Sequence, residues 1–177
     1  MTEQAERAAL TEFPTEEARV LGHFLDAQRA AVLAIVDGLD DQGLRTPVLP
    51  SGWTPLGLIV HLGHAERHWF QQVATGSAPA LPWPAEASDD EDAAFASAHP
   101  TAQVFAFYRD QCRQSNAVLA SRPLSSPPAG KHNGEMEDDI TDLRWIVLHM
   151  IEETARHAGH LDAARELLDG HVGLGPR

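Results

Sequence analysis

Apolar residues in this chain recur with a period near 3.6, in four stretches separated by Pro- and Gly-rich breaks, and no stretch shows the alternation of a half-buried strand. That patterning confines the fold to the all-α class. In the first stretch Thr15 can cap a helix, Glu16 and Glu17 suit its positive end, and Leu21, Phe24, Leu25, Val32, Ile35, Val36 and Leu39 share one stripe. The segment Asp40 to Gly43 is expected to end it. Trp53-Thr54-Pro55 announces a second helix, with Thr at the cap and Pro at the first helical position. A third starts at Thr101 and buries Val104, Phe105, Tyr108, Cys112 and Leu119, while the last begins near Thr141 and ends at Gly170.

Helices at about 15–39, 55–74, 101–121 and 142–169 read as an antiparallel four-helix bundle, one domain across 1–177. Long connections flank the third helix and permit a crossover topology. The first of them is Pro-rich and contains the acidic run Asp89 to Asp92, with room for a short helical turn at 93–98.

Thirteen Lys plus Arg stand against 26 Asp plus Glu, a formal charge of −13. A surface of that sign repels phosphate backbones and anionic lipid, which argues against nucleic acid and membrane as partners. The one cysteine, Cys112, can form neither an internal disulfide nor a thiolate cage, and fits the apolar stripe as a core residue. The opening MTEQAERAAL lacks the basic start and apolar run of a signal peptide, so the expected compartment is the cytoplasm.

Ten histidines are the unusual count. On the second helix the apolar stripe is Leu58, Leu62, Ala65, Trp69 and Val73. His61 lies about 80° from its centre, His68 about 100° and His64 about 140°, so His61 is the first candidate to face inward, narrowly ahead of His68. On the last helix His157 sits about 60° from the stripe centre and Glu153 about 100°, with His160 and His149 near 120° and 140°. Glu153 and His157 are four residues apart and share a face. With His61 from the facing helix they can bind one divalent ion, and three ligands leave open positions of the catalytic kind. Mixed nitrogen and oxygen donors suit zinc first, with nickel, iron and manganese also compatible. His64, His68 and His160 are candidates for hydrogen-bonding support or general base work beside such a site. Trp69, Phe70 and Trp145 read as bundle packing, with Trp69 and Trp145 also candidates to line a substrate pocket between helices.

Two motifs carry a family resemblance. The stretch from Trp53 to Trp69, with Trp53 eight residues before His61, resembles the second helix of the DinB-like superfamily, four-helix bundles with a divalent metal site. The stretch His149 to His160 resembles that family's last-helix signature, and its Glu153 places the likeness near the mycothiol-dependent maleylpyruvate isomerases, whose triad is His, Glu, His. The resemblance implies His61, Glu153 and His157 as metal ligands. It also implies a low-molecular-weight thiol such as mycothiol as co-substrate, added to a small electrophile by a transferase or isomerase. The alternative is a non-catalytic metal-binding module in stress response or as a scaffold. Bundles of this family often pair, and Val60 and Phe70, taken as outward-facing, are the residues expected at a homodimer contact.

Overall fold

The computed structural model describes residues 13–83 and 97–173, and all its regular structure is helical. The acidic run at 89–92 and most of the turn expected at 93–98 lie outside the described residues. Helix α1 is Glu16–Val36, α2 is a single turn, Asp41–Leu44, and α3 is Pro55–Glu66, continued without a break by a π-helical stretch, Arg67–Val73. Then come α4, Thr101–Ser121, and α5, Leu143–Asp169. Among the described residues no helix is long and apolar enough to cross a membrane.

Side-chain caps set the starts of α1, α3 and α5. Thr15 Oγ1 accepts from Ala18 N at 3.1 Å, Thr54 Oγ1 from Gly57 N at 3.1 Å, and Asp142 Oδ1 from Trp145 N at 3.0 Å. Helix α5 stops at Gly170, whose φ of 76° puts it in the left-handed region that favours glycine. The end of α1 departs from expectation: it closes at Val36, three residues before Leu39. Arg165 from α5 donates to the carbonyls of Ile35 and Asp37, both at 2.7 Å, and so satisfies that helix end. Asp40 then begins a new turn instead of ending the old one, its Oδ1 accepting from Gly43 N at 2.7 Å.

Helix α5 packs on α1, α3 packs on α4, and α3 also touches α5. Leu25, Phe70, Ile146 and Met150 fill one core cluster, and Val32, Leu58, Leu62, Tyr108 and Leu161 the other. At Gly63 a Cβ would meet the Phe107 ring at 2.6 Å, so the bare backbone there is what lets α4 approach α3 so closely. Helix α3 is apolar nearly all round, and this corrects one expectation. Val60 and Phe70 are buried, 8% and 0% exposed, because α3 is walled on more than one side. A dimer contact would have to use other residues. Phe24 departs in the opposite sense and is 56% exposed. Phe105 and Cys112 are only partly buried, and Phe107 takes the deeper place on α4.

Candidate metal centre

Glu153 and His157 stand one turn apart on α5, and α3 brings His61 to the same point. One ligand atom from each of the three lies within 4.8 Å of the other two. Nε2 of His61 and Nε2 of His157 each approach Glu153 Oε1 at 3.0 Å. A carboxylate oxygen only accepts, so without an ion both imidazoles carry a hydrogen on Nε2 and share one acceptor. Those hydrogen bonds, from His157 first and His61 second, hold the Glu153 carboxyl well below the usual carboxylate range against the opposing effect of burial. The group is neither sealed nor bare: the side chains of His61, Glu153 and His157 are 26%, 22% and 12% exposed. Ligation requires each Nε2 to present a lone pair, which moves the remaining hydrogen of each neutral ring to Nδ1.

For His157 that hydrogen has a destination. His160 Nδ1 lies 3.4 Å from His157 Nδ1. Burial foremost, then His157 and Arg156, push His160 below the ordinary imidazole value, which favours the neutral ring with a lone pair to offer. Trp53 sits against the same ring, centroids 5.8 Å apart, and braces it. Glu152 and Arg156, on the far side of α5, are exposed as the wheel predicts.

His64 and His68 fall outside the converging group. The His64 ring packs 5.1 Å from Phe107 on α4. His68 is bonded through Nδ1 to Gln72 Oε1 and through Nε2 to His132 Nδ1, both at 2.9 Å. His132 carries no sequence signal, because it comes from the irregular segment before α5, where no periodicity marks an inward residue. It stacks on Trp69 at 4.6 Å, and Glu137 holds its backbone N–H at 2.6 Å. His149, one turn before Glu153, lies 4.5 Å from Trp69 and stacks on Trp145 at 5.2 Å. Imidazole and indole rings thus continue the α3–α5 seam beyond the three converging side chains.

The donors are two imidazole nitrogens and one carboxylate oxygen, a set that can hold a divalent ion with positions to spare. The family model for Mycothiol-S-transferase matches residues 20–170, a span that includes all three. No curated protein matches the chain.

Proposed function

The chain belongs to the mycothiol S-transferase family, within the DinB-like superfamily, and on that premise we propose that it transfers a low-molecular-weight thiol of mycothiol type to a small electrophile at the centre formed by His61, Glu153 and His157. The observation that carries the reading is the convergence of two imidazoles and a carboxylate from α3 and α5 on one point that solvent can reach. These donors fit a divalent ion, zinc first, with nickel, iron and manganese compatible. When bound, such an ion supplies positive charge that favours the thiolate form of an incoming thiol.

The chain's residues set the conditions for that chemistry. Glu153 provides the single negative charge, so the loaded centre keeps about one net positive charge and attracts an anionic nucleophile. With an ion bound and the His157 hydrogen on Nδ1, His160 Nδ1, 3.4 Å away, would accept it and hold the ring for ligation. The four long helical segments form, in this reading, one DinB-like four-helix bundle whose connections around α4 are crossovers. Its partners are the thiol and the electrophile. A homodimer in the cytoplasm is part of the same proposal.

The test compares conjugation of mycothiol and other small thiols to an electrophile by metal-loaded, metal-stripped and His157→Ala protein. Only the loaded wild type should accelerate the reaction near neutral pH. Metal retention without thiol binding, measured by calorimetry, would overturn the transferase reading and leave the non-catalytic metal-binding module.

A further inference from the structure

Helices α3 and α5 run antiparallel along their shared seam. His61 meets Glu153 and His157, and further along α3 Trp69 meets His149 and Trp145, the two rings that precede Glu153 on α5. His149 and Glu153 are four residues apart on one helix face, a spacing that puts their Cβ atoms about 5–6 Å from each other. The half-buried His149 ring is held by its faces rather than by its nitrogens. Trp145 stacks on it with an interplanar angle of 15°, and Trp69 meets it at 62°. Neither ring nitrogen of His149 has a hydrogen-bond partner among the described residues.

The other imidazoles of the seam each have a nitrogen engaged. His61 and His157 use Nε2 on Glu153, and His160 lies with Nδ1 against His157 Nδ1. His68 is bonded at both nitrogens, and His132 gives its Nδ1 to that bond. His149 is therefore the imidazole beside the metal ligands with its proton chemistry still open. Burial foremost, with His132 opposite, holds it below the ordinary imidazole value, so the ring is neutral at pH 7 and offers a lone pair. The charged groups around it favour accepting a proton. Glu153 and Glu152 on its own helix pull toward the charged form, while His132 from the segment before α5, bonded to His68 of α3, opposes it. A thiolate arriving at the loaded centre would cancel the centre's remaining positive charge and remove the main obstacle to a proton on the ring.

We propose that His149 is the general base of the thiol transfer and takes the proton of the incoming thiol. This rests on the transferase reading of the centre formed by His61, Glu153 and His157. The S–H bond breaks, its electron pair stays on sulfur, and the proton passes to a ring nitrogen of His149. The sulfur then bonds to the electrophilic carbon. The leaving group departs with its bonding pair and receives the proton back from His149; where the electrophile undergoes addition, the atom that gains the displaced pair receives it. No oxidant or reductant is needed.

The test counts protons. Mycothiol is titrated into the metal-loaded full chain at pH 7, by calorimetry in two buffers of different ionisation enthalpy. A free thiol is protonated at this pH, so binding as thiolate releases about one proton to solvent unless the protein keeps it. Wild type should release close to none, and His149→Phe and His149→Gln about one each. The Phe variant keeps a flat ring between the tryptophans, and its metal content and melting temperature should match wild type. In both variants conjugation should slow by about 10²-fold, mainly in kcat, and the acid limb of the wild-type pH profile should disappear. Equal proton release by wild type and both variants overturns the proposal, as does an acid limb that survives in them. Failure of loaded wild type to bind the thiol overturns the transferase reading and this inference with it, whereas thiol binding with unchanged proton release overturns this inference alone.

Discussion

Glu66 on α3 and Glu153 on α5 both pair with a neighbouring helix, and the difference between them separates a polar group that builds the fold from one available to a ligand. Glu66 is 1% exposed and faces Arg29, itself 4% exposed, through two parallel bonds of 2.7 and 2.6 Å. The third nitrogen of Arg29 donates to Asp26 and Asn116, both at 2.7 Å. Each of the two carboxylate oxygens has its own donor, and no edge faces solvent. Glu153 instead gives one oxygen, Oε1, to two imidazoles at equal distance, in a place that water reaches. The first arrangement is complete as a salt bridge. The second is a cluster of donors whose shared bonds an ion could replace.

Breaking the complete pair should have the largest effect. Arg29→Ala or Glu66→Ala leaves a buried charge alone and should destabilise the fold by about 3–5 kcal/mol, read from urea unfolding. Replacing both together, Arg29→Met with Glu66→Leu, should recover most of that loss; if the double variant is as unstable as either single one, the pair is not the unit described here. At the open cluster the large effect should appear in metal content. His157→Ala should lose the ion at concentrations that saturate wild type, and His160→Ala should weaken it by about 10–100-fold. His149→Ala, at a ring packed between tryptophans, should leave metal content unchanged by elemental analysis.

The effect of acid at Glu153 should be smaller. A carboxyl held low in the folded state contributes stability that is present above its unfolded value of roughly 4.3 and disappears as pH falls through the folded value. Glu153→Gln should therefore flatten the fall in metal-free stability below about pH 4, followed by circular dichroism. An unchanged acid profile would mean that the imidazoles do not stabilise the carboxylate. The smallest effect is expected at Cys112, whose thiol burial pushes up to about 12. It should resist thiol reagents at pH 8 until the protein unfolds. Because its folded value is raised, its contribution to stability is lost as pH climbs from about 8.5 toward that value, not in acid.

Much of this was legible in the sequence, for reasons specific to each part. Caps announce themselves by residue type at Thr15, Thr54 and Gly170, and the helical wheel selected the three side chains whose ligand atoms converge. Arg29 and Glu66 also sat on apolar stripes, beside Leu25 and Val32 on one helix and Leu62 and Phe70 on the other. The usual solvation of charged residues concealed that signal. Val60 and Phe70 were misplaced for another reason: a wheel with one buried stripe does not describe a helix surrounded on several sides. His132 was invisible because it reaches Trp69 and His68 from an irregular segment whose path no local pattern dictates.

The π-helical stretch Arg67–Val73 also bears on how this chain can lose residues. Each wide turn holds more than the 3.6 residues of an ordinary one, so the stretch contains slack in the angular register of the helix. A one-residue deletion within it can be absorbed by tightening to the α-helical pitch, with the upstream register that aims His61 left intact. The same deletion between Leu62 and Glu66 has no such slack and rotates everything downstream by about 100° relative to His61. We expect the first deletion variant to melt cooperatively and keep its metal, and the second to do neither; thermal unfolding of the pair measures it. The stretch where the helix is least regular would then be the part of α3 most tolerant of changes in length.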